Sequence, residues 1–595
     1  MTSSPVRGRP NGAGRGPLLL VLGAAVCAVI AVLGAHLAGG TAPVIRDSGP
    51  LVRYGAPVAA IIADIAVAMA FGGALLGGWV LERTEDRARA MMLIAPAAAV
   101  ATVARLAALI VSYARATGQG IGSARFGSDL GVFIGTDLGT WMLMCTVFAA
   151  AATTLAVLGE ARWISRGATA LMGLAIFSTA MTGHAAGGDT HEVATSTMLV
   201  HLLAVGVWVG GLLVLQLLPA GPRDDARVIG RYSHLALIAW IALGLSGVWA
   251  LAVRMTSPAE ILTSAYVQLA VAKAALLLVL AGFGVLQRRE LAVRAAAPAR
   301  SAQARSAVAQ YRRLAVLELA LMGVAVALGA AMSSSPPPAD AVPPAVGPAA
   351  VLSGYALPPA PTLPHLLAAW RPDPFGMALA CAMLLGWWRP AVPARRAAAS
   401  VRIVAAAALL VLVTSGPLNV YGKVLVSAHL EQHALLILCG ILASSAFAPW
   451  RPDGLRARSA RIMPVALALG PLLLLIAWYA WPPMLRAALD GHAMHLGLQC
   501  VALAAGWALA FGVRATERPL LLVVVALLLT EAVAAYLIWG DALLAPSWFG
   551  ATGRAWIASA AADQTRGGIV LAVFTALVAA GGATAVVRER RRSAV

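Results

Sequence analysis

Apolar runs of bilayer-crossing length recur along the whole chain, and they leave few folds open to it. A hydrocarbon core of roughly 30 Å takes about 20 apolar residues per helix. On that template about sixteen spans are expected, starting near Leu18, Val58, Met91, Asp137, Ala168, Ser196, Leu235, Tyr266, Leu314, Phe375, Ile403, His429, Pro464, His495, Pro519 and Gly567. The composition agrees, with 60% hydrophobic and only 12% charged residues. The expected fold is all-α, a polytopic transmembrane helical bundle.

Charge orients it. With the N-terminus cytoplasmic, the spans alternate so that 32 of the 44 Lys and Arg fall in cytoplasmic segments and 10 in outer ones, the positive-inside bias. Both termini are then cytoplasmic, and the basic stretch Gln287 to Arg313 and the tail Arg588 to Arg592 lie inside. The net charge of +19 needs no nucleic acid to explain it, because anionic lipid headgroups of the bilayer suffice. The run Leu18 to Ala38 reads as an anchor rather than a cleaved signal, since no small-x-small site directly follows it.

One stretch divides the chain. Ser333 to Pro364 is rich in Pro, Ala and Ser, a composition that gives an extended, outward-facing linker. About nine spans precede it and about seven follow. The expected organisation is a membrane module over 1–332, the linker over 333–364, and a second, different module over 365–595. The five cysteines are scattered singly and form no CxxC, so neither a disulfide framework nor a zinc knuckle is indicated.

In this topology nine of the ten histidines lie at or near the outer face, and only His234 is cytoplasmic. The cost of His in hydrocarbon explains avoidance of the core, but not avoidance of the cytoplasmic loops. A metal-handling outer face explains both. Met181 and His184 are three apart, as are Met198 and His201, with His191 between them. Residues at i and i+3 share a helix face, and a thioether–imidazole set suits copper better than magnesium or calcium. His429 and His433, at i and i+4, can share one metal. Glu431 sits two residues after the first His, off the HExxH pattern and on the other side of the helix, so a zinc peptidase is not indicated. His492 and His495 form a third pair, which completes a site with the second only if their spans are neighbours. No GxxxxGK[ST] phosphate loop occurs. Transport would therefore be by carrier or channel, and no enzyme activity is expected.

Charged residues inside spans are expensive unless paired or wetted. Asp64 and Arg105 lie at similar depth and are expected to form an ion pair. Lys273 and Glu531 have no obvious local partner. Lys273 and Lys423 are the only lysines, which marks both as positions where a guanidinium will not serve.

The stretch Thr182-Gly183-His184 with His201 to Leu212, including Trp208, resembles the copper resistance D (CopD) family. Further matching pieces are Arg231-Tyr232-Ser233, Gly244 to Val248, Ser257-Pro258 to Lys273, and Arg312 to Glu318. After the linker the chain resembles the CtaG family of cytochrome c oxidase assembly proteins. The pieces are Ser415-Gly416-Pro417 with Tyr421, Ser427 to His433, and Asp563-Gln564 with Gly567-Gly568. Leu430 and Ala434 stand where that family often has Met. The resemblance implies a fusion of actinobacterial type in the bacterial plasma membrane. It would handle copper at the outer face and support metallation of the oxidase. The expected partners are copper, as Cu(I), and either oxidase subunits or an extracytoplasmic copper chaperone.

Two other readings stay open. A metal-free scaffold for oxidase assembly fits the missing Met residues. A haem b redox protein needs axial His from facing helices, and only His201 and His234 approach span interiors, near opposite faces.

Overall fold

The protein is described by a computed structural model over residues 15–43, 46–182, 191–296, 301–338, 346–387, 396–444, 457–557 and 559–593, and every regular element among these is a helix, with no strand. Among the described residues, fourteen helices are long and apolar enough to cross a membrane. The long helices are labelled in chain order: α1 Arg15–Leu37, α2 Pro50–Val80, α3 Thr84–Thr117, α4 Asp137–Leu158, α5 Arg162–Met181, α6 His191–Leu217, α7 Ala226–Ala252, α8 Ala265–Val293 and α9 Arg305–Ser334. Then follow α10 Pro374–Trp387, α11 Ala399–Tyr421, α12 Val426–Ser444, α13 Met463–Ala480, α14 His492–Ala515, α15 Pro519–Trp539 and α16 Ala560–Arg591.

Each apolar run of the sequence is thus one helix. Two of the sixteen, α1 and α10, count as spans less clearly: their described apolar stretches are the shorter Val21–Leu37 and Pro374–Leu385. The Pro-rich segment departs from the extended chain its composition suggests. Pro348–Ser353 and Leu363–Ala368 are short helices, each with Pro in the first turn, where its missing N–H costs nothing. The chain divides into two compact units, one of residues 1–186 and 194–342, the other of 187–193 and 343–595.

In the first unit α2 is the hub, packed against α1, α3, α5, α6 and α9. It meets α6 with almost no side chain between the backbones. A Cβ on Gly210 would lie 1.7 Å from the Ala68 carbonyl oxygen, and one on Gly72 2.3 Å from the Gly211 amide nitrogen. Small residues permit such approach, because dispersion rather than hydrophobicity holds helices together in lipid.

In the second unit α12 takes the central place, packed against α11, α14 and α16. Its crossing with α14 repeats the device: a Cβ on Gly506 would stand 1.8 Å from the Ile437 carbonyl oxygen, and one on Gly440 2.1 Å from that of Leu503. Gly506→Ala must therefore separate the two helices, whereas Gly470 on α13 has open space around it. Thermal unfolding in detergent should show Gly506→Ala destabilised by about 1–3 kcal/mol, the scale of overpacking, and Gly470→Ala unchanged or slightly more stable.

Candidate metal centre

The N-terminal ends of α12 and α14 bring three histidines together. His429 lies eleven residues before Gly440 and His433 seven before it; His495 lies eleven before Gly506. At about 100° per residue, steps of seven and eleven return to the same helix face within ~20°. So each helix turns its histidines toward the seam that its glycine opens. The ring centroids are 4.7 Å apart for His429 and His433, 5.9 Å for His429 and His495, and 6.1 Å for His433 and His495. All three are buried, with relative exposures of 2%, 2% and 4%.

Their ring nitrogens are only partly used. His433 Nδ1 lies 2.8 Å from the His429 carbonyl oxygen and 2.9 Å from the Tyr479 hydroxyl. A carbonyl can only accept, so Nδ1 carries the proton and Nε2 the lone pair. His495 Nε2 lies 3.0 Å from the Gln499 side-chain amide. The amide can present either its NH₂ or its oxygen, and with oxygen facing the ring it leaves Nδ1 as the lone pair. His429 Nε2, His433 Nε2 and His495 Nδ1 have no hydrogen-bond partner. A buried polar atom left unpaired is costly, and three in one cluster fit a bound metal ion. Among the described residues no three or more His, Cys, Asp or Glu already converge in ligating geometry, so capture needs the rings to turn toward a common point. Imidazoles about 2.0 Å from one metal have centroids roughly 5 Å apart, close to the spacing present.

The start of α12 is held from a distance. Asp563, at 0% exposure, accepts from the Val426 amide at 2.7 Å and the Ser427 hydroxyl at 2.6 Å. It is an N-cap supplied by another helix, α16, and it satisfies donors that the first turn leaves orphaned. One turn on, Gly567 lets α16 close against Ser427, whose Cα would be 2.9 Å from an added Cβ. Gln564 bonds the Leu544 amide at 2.7 Å and the Ala542 carbonyl at 3.0 Å. Glu431 is partly exposed and turned off the buried histidine face.

Lys423 precedes α12 and is 5% exposed. Its Nζ lies 2.5 Å from Glu192 Oε1, and Tyr355 donates to Glu192 Oε2 at 3.2 Å. His492 Nδ1 is 3.7 Å from the same Glu192 Oε1, and the His191 and His492 rings are 6.5 Å apart. Glu192, Tyr355, Tyr479 and Gln499 were not singled out from sequence. For Gln499 a signal existed: α12 carries His-x3-His-x6-Gly, and α14 carries His-x3-Gln-x6-Gly.

The first unit holds the other candidates. His184 lies outside the described residues. Met181 is buried at the end of α5 and Met198 is partly buried in α6. His201 Nδ1 lies 3.1 Å from the Ser246 hydroxyl of α7. Trp208 and Glu318, far apart in sequence, meet: the indole Nε1 donates to Glu318 Oε1 at 3.1 Å, and Gln287 donates to Oε2. Tyr232 in turn donates to the Trp208 carbonyl at 2.5 Å. Asp64 and Arg105 form an ion pair at 2.9 Å between α2 and α3. Lys273 Nζ would be 3.2 Å from a Cβ at Gly329, so its head lies against α9. In the second unit Glu531, without an evident partner in sequence, accepts from Thr575 of α16 at 2.7 Å.

Three family matches cover these regions: copper resistance protein D-like, N-terminal domain, over 51–193; copper resistance protein D over 226–332; and cytochrome c oxidase caa3 assembly factor over 380–593. The chain is a fusion of copper resistance protein D and caa3 assembly factor families. No curated protein and no solved structure matches it. It is a multi-pass membrane protein, and its families associate it with copper and with cytochrome c oxidase assembly. The histidine cluster and its Asp563 cap lie within the assembly-factor region.

Removing the cap tests how that region is built. Asp563→Ala should cost about 1–3 kcal/mol through unsatisfied buried donors, read as a lower unfolding midpoint in detergent. Asp563→Asn, which keeps an acceptor, should lose less.

Proposed function

We propose that the protein takes up or relays copper at the outer face of a bacterial plasma membrane and passes it to cytochrome c oxidase during assembly. The observation that carries this reading is the cluster of buried imidazoles at His429, His433 and His495, with three ring nitrogens free to ligate. Copper is the cargo. Imidazole is a good copper ligand, and Cu(I) accepts few ligands that can be swapped one at a time. Tyr479 and Gln499 orient the rings of His433 and His495 by bonding the nitrogen that does not face the metal, as hydrogen-bond partners of metal-bound histidines commonly do.

The chemistry is ligand exchange rather than catalysis. The Met residues often found beside these histidines in the assembly family are Leu430 and Ala434 here. The cluster is therefore an all-nitrogen site, and an extracytoplasmic chaperone or an oxidase subunit offering sulfur would draw Cu(I) out of it. In the copper-resistance region, Met181, His184, His191, Met198 and His201 are the residues we assign to copper movement, in a direction left to experiment.

Copper stoichiometry of the detergent-purified protein under reducing conditions is the test. Wild type should hold copper that His429→Ala/His433→Ala loses, while His184→Ala/His201→Ala removes only what the first region binds. A folded wild type with no bound copper would replace this reading by a metal-free assembly scaffold. A Soret band would replace it by a haem protein.

A further inference from the structure

Beside the histidine cluster the second unit holds a small, partly open chamber lined largely by polar residues. Glu192, Arg371, Asp373, His492, His495 and Gln499 contribute to its walls, and it leaves about 10 Å³ for the centre of a water-sized sphere. That is the lower limit for one water, and it is room for one bare metal ion. Two of the charged groups already have structural tasks. Asp373 caps α10, accepting from the amides of Phe375 and Gly376 at 3.0 Å each. The Arg371 guanidinium lies on the Tyr355 ring, 3.3 Å from its centroid.

The remaining groups form a graded path. Glu192 Oε1 lies between the Lys423 ammonium at 2.5 Å and His492 Nδ1 at 3.7 Å. His495 belongs to both places. Its ring is on the chamber wall and within 6.1 Å of both other cluster histidines. Its Nδ1 is buried without a partner.

Resting on the copper reading above, we propose that this chamber is a second copper station, where His492 and Glu192 hold the ion one step from the cluster. In the transfer the bond from copper to the Glu192 carboxylate breaks as a bond to a nitrogen of His495 forms, with no change of oxidation state. Lys423 keeps the carboxylate neutralised while the chamber holds no cation, since a lone buried charge is costly. The incoming copper replaces it as the counter-ion. Neither Lys423 nor Glu192 is then merely a structural pair: their contact must open each time an ion passes.

The experiment loads the full-length purified protein with Cu(I) under reducing conditions and follows transfer to a water-soluble Cu(I) chelator. His492→Ala should keep the copper held by the cluster, the part that His429→Ala/His433→Ala loses, yet release or accept the ion about tenfold more slowly, a scale taken from removal of residues that support metal ligands. Glu192→Gln/Lys423→Met, which leaves no unpaired buried charge, should behave the same way and guards against simple misfolding of Glu192→Gln. Copper exchange at the wild-type rate in both variants would overturn the chamber while leaving the cluster reading intact. So would loss of bound copper equal to that in His429→Ala/His433→Ala, because these residues would then belong to the primary site. A wild type that binds no copper would remove both.

Discussion

A charge buried among membrane helices is costly without a partner, and much of the arrangement of this protein follows from how several such charges find one. The cost of an unpaired ion at the bilayer centre is several kcal/mol, larger than most packing preferences between apolar helices. Asp64 and Arg105 answer it by joining α2 to α3. Glu318 answers it with neutral donors, Trp208 and Gln287, drawn from α6 and α8. Lys423 answers it with Glu192, and Asp563 with the orphaned amides at the start of α12. Each solution ties together helices that lipid solvation alone would leave indifferent to one another.

The Asp563 contact has the widest consequence. A helix start in an apolar setting carries unsatisfied N–H groups, and α12 carries its histidines within two turns of that start. By supplying the cap from α16, the fold fixes where α12 begins, and so where His429 and His433 sit. The Gly440–Gly506 crossing then sets the separation from α14. Because His429 and His495 are each eleven residues above their glycine, both arrive at the same height, roughly 16 Å from the crossing at 1.5 Å per residue.

This geometry is what favours the proposed copper reading of the cluster over a packed polar core. A polar core would consume every ring nitrogen in hydrogen bonds. Here Tyr479, Gln499 and the His429 carbonyl engage one nitrogen each of His433 and His495 and leave the other open. Rings oriented in this way lose less freedom on binding an ion, and three buried nitrogens regain a partner when one arrives.

Much of this was legible in the chain itself. Hydropathy located every long helix, since a run of about 20 apolar residues has one outcome in a bilayer. Local periodicity put His429 and His433 on one face and separated Glu431 from them. It placed Asp64 and Arg105 at matching depth, and they pair. It gave no partner for Glu531 or Lys423 and left Asp563 without a role, because Thr575, Glu192 and the α12 amides come from other helices. Nor did it join His495 to the pair on α12. In water the burial of an apolar face tells a helix which side to hide; in lipid both sides are equally at home, so neighbours are chosen by glycine contacts and by charge and hydrogen-bond pairing. The sequence by itself determined the helices and which residues share a face. Only the tertiary structure decided which faces meet, because that choice is made by contacts between residues up to 231 positions apart.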